Sequence, residues 1–408
     1  MITIGKIPGK MQRFFTPLKS HFTQRAWGHF WPLVLAITIS HGCTIERLAK
    51  ALRGSTHRTN HGEFLWRSCW NESQVMQNIA LDMLLSLFRK DDRDVFLVID
   101  DTQTLKRGKK MHAIGRLYHH ATGKYGFGHT IVKICLYYRG VTIPWGSWLY
   151  VKQEHAKSLE IPFHKLTDLA AQAIRQACLP AMLKVTVLFD AFYLCPTVVH
   201  ACKEKGWHYI GVGKANRWFT IGSAKRKLGR YGKNVLRNSG QWHTIKGLRK
   251  AKIYRLAERA GTLNKLGTVK VVFSRRRGEN QHVALITDNI HASMKTIVAD
   301  YLNRWSIEML IKDEKQHLGL GDYRVIRYRA IVRHLHLVDV AYACLTHAGM
   351  KTCRAQGEYK NKRVLRLEPV SKLKDHMRQM VWQENVQNVI KYSHEKPVIR
   401  RLEKLLAA

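Results

Sequence analysis

The chain has 408 residues, 45% of them hydrophobic, which suits a globular protein of about two or three domains with a sizeable core. Its charge is extreme: 69 Lys and Arg stand against 29 Asp and Glu, a formal net charge of +40. That self-repulsion calls for a polyanion partner, nucleic acid before all others, because phosphate contacts release condensed counterions.

No run approaches the roughly 18 apolar residues of a membrane helix, so a spanning protein is excluded and no membrane partner is expected. The N-terminal residues lack the apolar centre of a secretory leader. The eight cysteines include no C-x-x-C pair, which argues against zinc or a disulfide framework and fits free thiols in a reducing cytoplasm.

Residues 1–90 read as helical. The stretch from Trp31 to Ile39 is a short apolar run suited to a buried helix. Thr44 can cap a helix over 45–52, with Ile45, Leu48, Ala49 and Leu52 on one face. A turn at Arg53-Gly54-Ser55-Thr56 and a second helix through Phe64-Leu65-Trp66 give a helix-turn-helix-like spacing. There His57, Arg58, Asn60 and His61 are candidates to face DNA.

From residue 94 the texture changes. Val95-Phe96-Leu97-Val98-Ile99 is a continuous apolar run, read as a buried strand that ends in Asp100-Asp101-Thr102. Strands are expected over 129–138 and 141–151, joined by a hairpin turn at Arg139-Gly140. A helix over 158–178 leads to a second apolar strand, 185–189, that ends in Asp190. A helix over 196–205 and a strand over 208–212 follow. This order predicts an α/β fold, a mixed sheet with helices on its faces.

Residues 214–277 carry 19 Lys or Arg and a single acid, Glu258. So many like charges without acids suit a phosphate-binding surface. Lys214, Arg217, Arg275, Arg276 and Arg277 are candidate DNA contacts, and Trp218, Phe219 and Trp242 lie among the charges. Strands resume over 268–274 and 282–287. The last 58 residues, from Lys351, are basic and read as mostly helical.

Two buried strands that each end in Asp display carboxylates at one sheet edge, where open α/β sheets bind ligands. Carboxylates gathered in so basic a protein would repel one another and DNA unless a divalent cation sat between them. Magnesium prefers such oxygen donors. A third element joins them. At 100° per residue, Tyr301, Arg304, Glu308, Lys312 and Lys315 share one helical stripe about 80° wide. Trp305, Met309 and Leu302 flank it on one side, Ile307 and Ile311 on the other. A narrow polar stripe between apolar flanks predicts a buried helix whose stripe faces a cleft. The alternative is an exposed face with a Glu308–Lys312 pair. Three carboxylates on separate elements can hold two metal ions about 4 Å apart for in-line phosphoryl transfer.

The segment Tyr301-x2-Arg304-x3-Glu308-x6-Lys315 resembles the Y-R-E-K signature of bacterial insertion-sequence transposases. Ile99-Asp100-Asp101-Thr102 and Leu188-Phe189-Asp190-Ala191-Phe192-Tyr193 resemble that family's first and second acidic motifs, and Tyr209 to Trp218 resembles the segment that follows them. The resemblance implies an RNase H-like catalytic core of the DDE type with an insertion between the last core strand and the Glu helix; with the strands and helices read above, the expected fold has a β-rich insertion and helical terminal regions. It implies two Mg²⁺ or Mn²⁺ ions on Asp101, Asp190 and Glu308, with Tyr301, Arg304 and Lys315 on phosphates; Lys312, on the same stripe, is a further candidate DNA contact. The family pattern favours the Asp before Thr, hence Asp101, although Asp100 is its immediate neighbour and points to the other face of an extended strand.

The expected activity is cleavage at transposon ends and strand transfer into target DNA, by a cut-and-paste route. The expected partner is double-stranded DNA, with a homodimer in the synaptic complex, in the nucleoid of a bacterial cytoplasm. The corresponding division is 1–90 end recognition, 91–213 and 291–350 catalytic core, 214–290 basic insertion and 351–408 C-terminal helices. A nuclease or recombinase on the same fold, or a DNA-binding protein with an inactive site, are the alternatives.

Overall fold

A computed structural model describes residues 7–52, 56–119, 122–247 and 250–391, with the backbone alone at 360–361 and 388–389. The N-terminal region is helical: α1 (Gln12–Phe15), α2 (Gln24–Ile39), α3 (Ile45–Ala51), α4 (Arg58–Arg67) and α5 (Glu72–Leu87). Thr44 caps α3 by accepting from Arg47 N–H, as its position before an apolar-periodic run predicts. The expected turn at Arg53-Gly54-Ser55 lies outside the described residues. His61 does not face solvent; it is buried, with its Nδ1 3.2 Å from that of His29. Phe64 and Leu65 turn α4 inward, and His61, three and four residues earlier, shares that face.

The strands β1 (Asp94–Leu105), β2 (Gly115–His119), β3 (Lys124–Tyr138) and β4 (Val141–Leu149) come next. Arg139 and Gly140 both take positive φ, +49° and +85°, which gives the hairpin the twist its strands need. Two short helices, α6 (Gln153–Ser158) and α7 (Leu166–Gln176), replace the single helix expected over 158–178. Pro162, which donates no backbone hydrogen bond, lies between them. Then follow β5 (Lys184–Phe189), α8 (Pro196–Glu204) and β6 (His208–Gly213).

Strand β1 is antiparallel to β3 and parallel to β5, which is parallel to β6, and β4 completes the far side of β3. This β4–β3–β1–β5–β6 order is a mixed α/β sheet of the RNase H-like kind. The basic segment adds β7 (Trp218–Ile221), β8 (Ala224–Lys227), α9 (Leu228–Ser239), β9 (Gln241–Lys246), β10 (Ala251–Leu263), β11 (Gly267–Arg276) and β12 (Val283–Thr287). Because β12 pairs with β6, these strands prolong the same sheet. The chain returns through α10 (Met294–Leu302) and α11 (Trp305–His317), then α12 (Tyr328–Ala355), α13 (Glu358–Asn361) and α14 (Val370–Lys391).

The apolar helix α12 is the centre of the core: α2, α4, α5, α14 and β4 all pack on it, and α11 packs on β1, β3 and β4. Behind α11 lies a cluster of charges with no solvent exposure. Lys133 of β3 contacts Glu314 of α11 at 2.7 Å and Asp339 of α12, and Ser147 of β4 donates to Asp339 at 2.7 Å. Burial pulls the Lys133 pKa down, but the two acids more than offset it and hold it charged. Two anions facing one cation leave one charge too many in a dry site. Burial therefore pushes Glu314 up to about 8, so at neutral pH it keeps its proton while Asp339 pairs with Lys133. Among the described residues no helix is long and apolar enough to cross a membrane.

Lys133→Ala strips the cation from this cluster and is expected to cost about 3–5 kcal/mol of stability in denaturant titration. Glu314→Gln probes the proton. With the folded value raised, the stability that Glu314 contributes is complete below about pH 4.5 and is lost as pH rises through about 8. The Gln variant should therefore gain on the wild type steadily between pH 5 and 8; parallel pH profiles would contradict the protonated assignment.

Candidate active site

Strands β1 and β5 run side by side with Val98 opposite Leu188. Each continues into acid, so Asp100, Asp101 and Asp190 emerge together at the carboxyl edge of the sheet. Backbone geometry fixes Asp190: its Oδ1 accepts from Phe192 N–H at 2.9 Å and Tyr193 N–H at 3.3 Å, the local turn that Asp favours. The buried Tyr193 side chain then reaches back, and its hydroxyl donates to Asp101 Oδ1 at 3.2 Å. Burial first, and then the charges of Asp101, Asp100 and Asp190, push the Tyr193 pKa far up. It serves as a neutral donor that links the β1 and β5 acids.

Asp100 points the other way, as an adjacent strand residue must. Its Oδ2 accepts from Arg304 Nη1 at 3.1 Å, and the second terminal nitrogen of Arg304 bonds to Glu308 Oε1. Burial pushes Asp100 up to about 6, with Arg304 opposing and Asp190 and Asp101 adding to the rise. Arg304 itself stays charged: burial works against it, but Tyr301, Asp100 and Glu308 raise its pKa. Four carboxylates from three elements are thus joined in one chain, Asp190–Tyr193–Asp101 on one side and Asp100–Arg304–Glu308 on the other.

The helix carrying Glu308 differs from the expected continuous stripe. Tyr301 is the penultimate residue of α10, and α11 starts only after Arg304. The break is a tightening: Arg304 N–H bonds to Tyr301 O at 2.9 Å and Ser306 N–H to Asn303 O at 3.0 Å, three-residue steps that shift the helical register. Tyr301 nevertheless stays beside Arg304, whose guanidinium lies 5.9 Å from its ring centroid, and burial raises the Tyr301 pKa. The apolar flanks are also unequal. Ile307 and Leu310 are buried, whereas Trp305 and Met309 are 49% and 38% exposed, because α11 turns only one side to the sheet. Phe192, two residues after Asp190, is also exposed at the site. No Glu308–Lys312 pair is present among the described residues: Glu308 is taken by Arg304, and Lys312 is exposed.

Lys315 donates to Gln103 O of β1 at 2.9 Å. In the basic segment, Lys214, Arg276 and Arg277 are exposed and Arg275 half-buried. Arg276 pairs with Glu279 at 3.2 Å. Arg217 is turned inward and donates to Leu194 O at 2.7 Å, steadying the segment that follows Asp190.

A family model described as DDE superfamily endonuclease matches residues 14–252, more than half of the chain, including Asp100, Asp101 and Asp190. A second, described as transposase DDE domain, matches residues 164–344, including Asp190 and Glu308. The chain belongs to the DDE superfamily of endonucleases. No curated protein matches it. DDE enzymes act through divalent metals, and the donor set here fits such an ion in kind, since carboxylate oxygens are the ligands a hard cation prefers. Among the described residues no three acids, His or Cys are grouped closely enough to hold one. The guanidinium of Arg304 bonds both Asp100 and Glu308 and neutralises them as a cation would, whereas Asp101 bonds to Tyr193.

Sequence reasoning missed Tyr193 and the division of labour between Asp100 and Asp101. The i,i+4 spacing of Arg304 and Glu308 was the available signal for their pairing. Arg304→Ala is expected to cost the metal-free protein about 1–3 kcal/mol by leaving two half-buried acids without their donor. Mg²⁺ should then recover more stability than in wild type, read as a larger Mg²⁺-induced rise in Tm; an equal rise would contradict the stand-in role.

Proposed function

We propose that this DDE endonuclease is a DNA transposase that cuts at transposon ends and joins the freed ends to target DNA. The observation that carries the proposal is the linked set of four acids at the carboxyl edge of the sheet, in a chain of formal net charge +40. Such a set has little purpose on a DNA-binding surface except to bind metal beside phosphate.

In this reading Asp101, Asp190 and Glu308 are the metal ligands, and Asp100 is the anchor of Arg304. Burial and commitment separate the two neighbours. Asp100 is pushed up to about 6 by burial and committed to a guanidinium, whereas Asp101 is tied through Tyr193 to the loop of Asp190. Asp101, Asp190 and Glu308 would hold two Mg²⁺ or Mn²⁺ ions, which would supply charge neutralisation at the scissile phosphate and a lowered pKa for the attacking water or 3′-hydroxyl. Arg304, once free of Glu308, would hold a DNA phosphate with the two bonds of its planar fork. Tyr301, Lys312 and Lys315 position the scissile strand, while Lys214, Arg275, Arg276 and Arg277 hold the duplex further out. Two copies bring the two ends together.

The test mixes purified protein, Mg²⁺ and a plasmid carrying the inverted repeats that flank the gene. Asp101→Asn, Asp190→Asn and Glu308→Gln should each lower cutting by about 10²–10³, the scale of losing one charge-stabilising group, with DNA binding retained. Asp100→Asn should lose less. Full activity in Asp190→Asn or Glu308→Gln would remove the proposed triad, and an inactive Asp100→Asn beside an active Asp101→Asn would exchange the roles of the neighbours. Cutting without any joined product would make the protein a nuclease only.

A further inference from the structure

Strand β1 does not stop at the acids. It runs on from Asp101 to Leu105, about 13 Å at the usual rise, and so carries the chain past the carboxyl edge of the sheet. Beyond it a loop leads into β2, which pairs with the start of β3 to form a ribbon, with Arg116 opposite Phe127 and Tyr118 opposite Tyr125. These four residues alternate along their strands and therefore share one face. That face is laced with cation–ring contacts: Arg116 lies 4.8 Å from the Tyr125 centroid, and Lys109 4.8 Å from that of Phe127. Tyr118 and Tyr125 pack edge-on at 5.3 Å yet remain 42% and 66% exposed.

The charge here is one-sided. Between Asp101 and Glu154 the sequence holds no Asp or Glu, and Arg107, Lys109, Lys110, Arg116 and Lys124 are exposed. Exposed rings in an acid-free basic field are costly to maintain for packing alone, since a core would hide them. They fit a ligand that combines phosphate with flat apolar faces.

The ribbon is also held rigidly relative to the active site. At its root Lys106 donates to Gly321 O at 2.6 Å and Tyr323 O at 2.9 Å and lies over the Tyr323 ring. Those two carbonyl bonds make it a structural clasp, and burial pulls its pKa down to about 7. His129 bonds to the Tyr323 hydroxyl at 2.8 Å, and His112 N–H to Ile326 O at 2.9 Å. All these partners lie in the segment that follows α11, so the element that ends the Glu308 helix also anchors the ribbon.

We propose that this ribbon is a second DNA-binding site, one that takes the DNA leaving the scissile phosphate. Arg107, Lys109 and Lys110 hold its backbone, and Tyr118 and Tyr125 stack on bases that are unpaired there. The proposal rests on the reading of the protein as a DNA-cutting enzyme. A cut or distorted end exposes unpaired bases, and stacking on an aromatic ring accepts any base because every base has a flat face.

The test uses fluorescence anisotropy with the full chain and two labelled probes, a random-sequence duplex and the same duplex with a short unpaired 3′ extension. Wild type should bind the extended probe about tenfold more tightly, the scale of one or two stacked bases. Tyr118→Ala/Tyr125→Ala should erase that preference and leave blunt-duplex binding within about twofold. Tyr118→Phe/Tyr125→Phe, which keeps the rings, should restore it. Arg107→Ala/Lys109→Ala/Lys110→Ala should weaken both probes and flatten the log–log salt slope by about 2–3. Wild type that binds DNA without preferring the extension, or Ala variants that bind as wild type does, would overturn the ribbon site and leave the proposed function standing. Wild type that binds neither probe would overturn both.

Discussion

The position of the acids at the carboxyl edge depends on a cluster that never touches solvent. Lys133 joins β3 to α11 through Glu314 and to α12 through Asp339, and Ser147 brings in β4. A cation in a dry interior is tolerated only with its anions in place, so the rotation of α11 about its axis is not free. Glu314 follows Glu308 by six residues, which on a helix separates their directions by about 120°. Holding Glu314 against Lys133 therefore turns Glu308 away from the core and toward the strand-end aspartates. Lys133 lies directly opposite Asp100 across the β1–β3 pair, so the same cation keeps helix and strand in fixed relation. The apolar surroundings that make the cluster costly also make it specific: few other arrangements of these helices would satisfy it.

Much of the sheet and the general place of the site were legible because they follow from short-range patterns. A continuous apolar run that stops at Asp reads as a buried strand delivering a carboxylate; both runs fold as strands, β5 ending just before Asp190 and β1 running on past its acids to Leu105. The hairpin at Arg139-Gly140 was legible for the same reason. Harder to read were features set by long-range packing. Lys133 sits in the run Ile131-Val132-Lys133-Ile134-Cys135, where a lone cation looks like an accident of an otherwise buried strand; its partners lie 181 and 206 residues away (314−133 and 339−133). The break between α10 and α11 carries no Pro or Gly, so a wheel through Tyr301 and Glu308 ran straight across it. His61 has the polar type of a surface residue, and only its spacing from Phe64 and Leu65 signals that it is buried. Strands β2, β7, β8, β9 and β10 are charged or half-exposed, and their patterns are correspondingly weak.

The chemistry of the acids is best understood against the charge of the whole chain. In a field of 69 Lys and Arg, four adjacent carboxylates repel phosphate less than they would alone, yet their mutual repulsion still has to be met. The fold meets it twice, with a neutral donor between Asp101 and Asp190 and with a guanidinium between Asp100 and Glu308. Arg304 therefore neutralises two of the four acids and ties α11 to β1 at this edge.

The most direct test of this account is to map where a metal sits along the chain. Fe²⁺ replaces Mg²⁺, and ascorbate with peroxide generates hydroxyl radicals that cut the polypeptide beside the bound iron. Three sets of cuts are expected, near Asp101, Asp190 and Glu308, all suppressed by excess Mg²⁺. Cuts confined to other parts of the chain, or cuts near only one of the three that Mg²⁺ does not suppress, would contradict it.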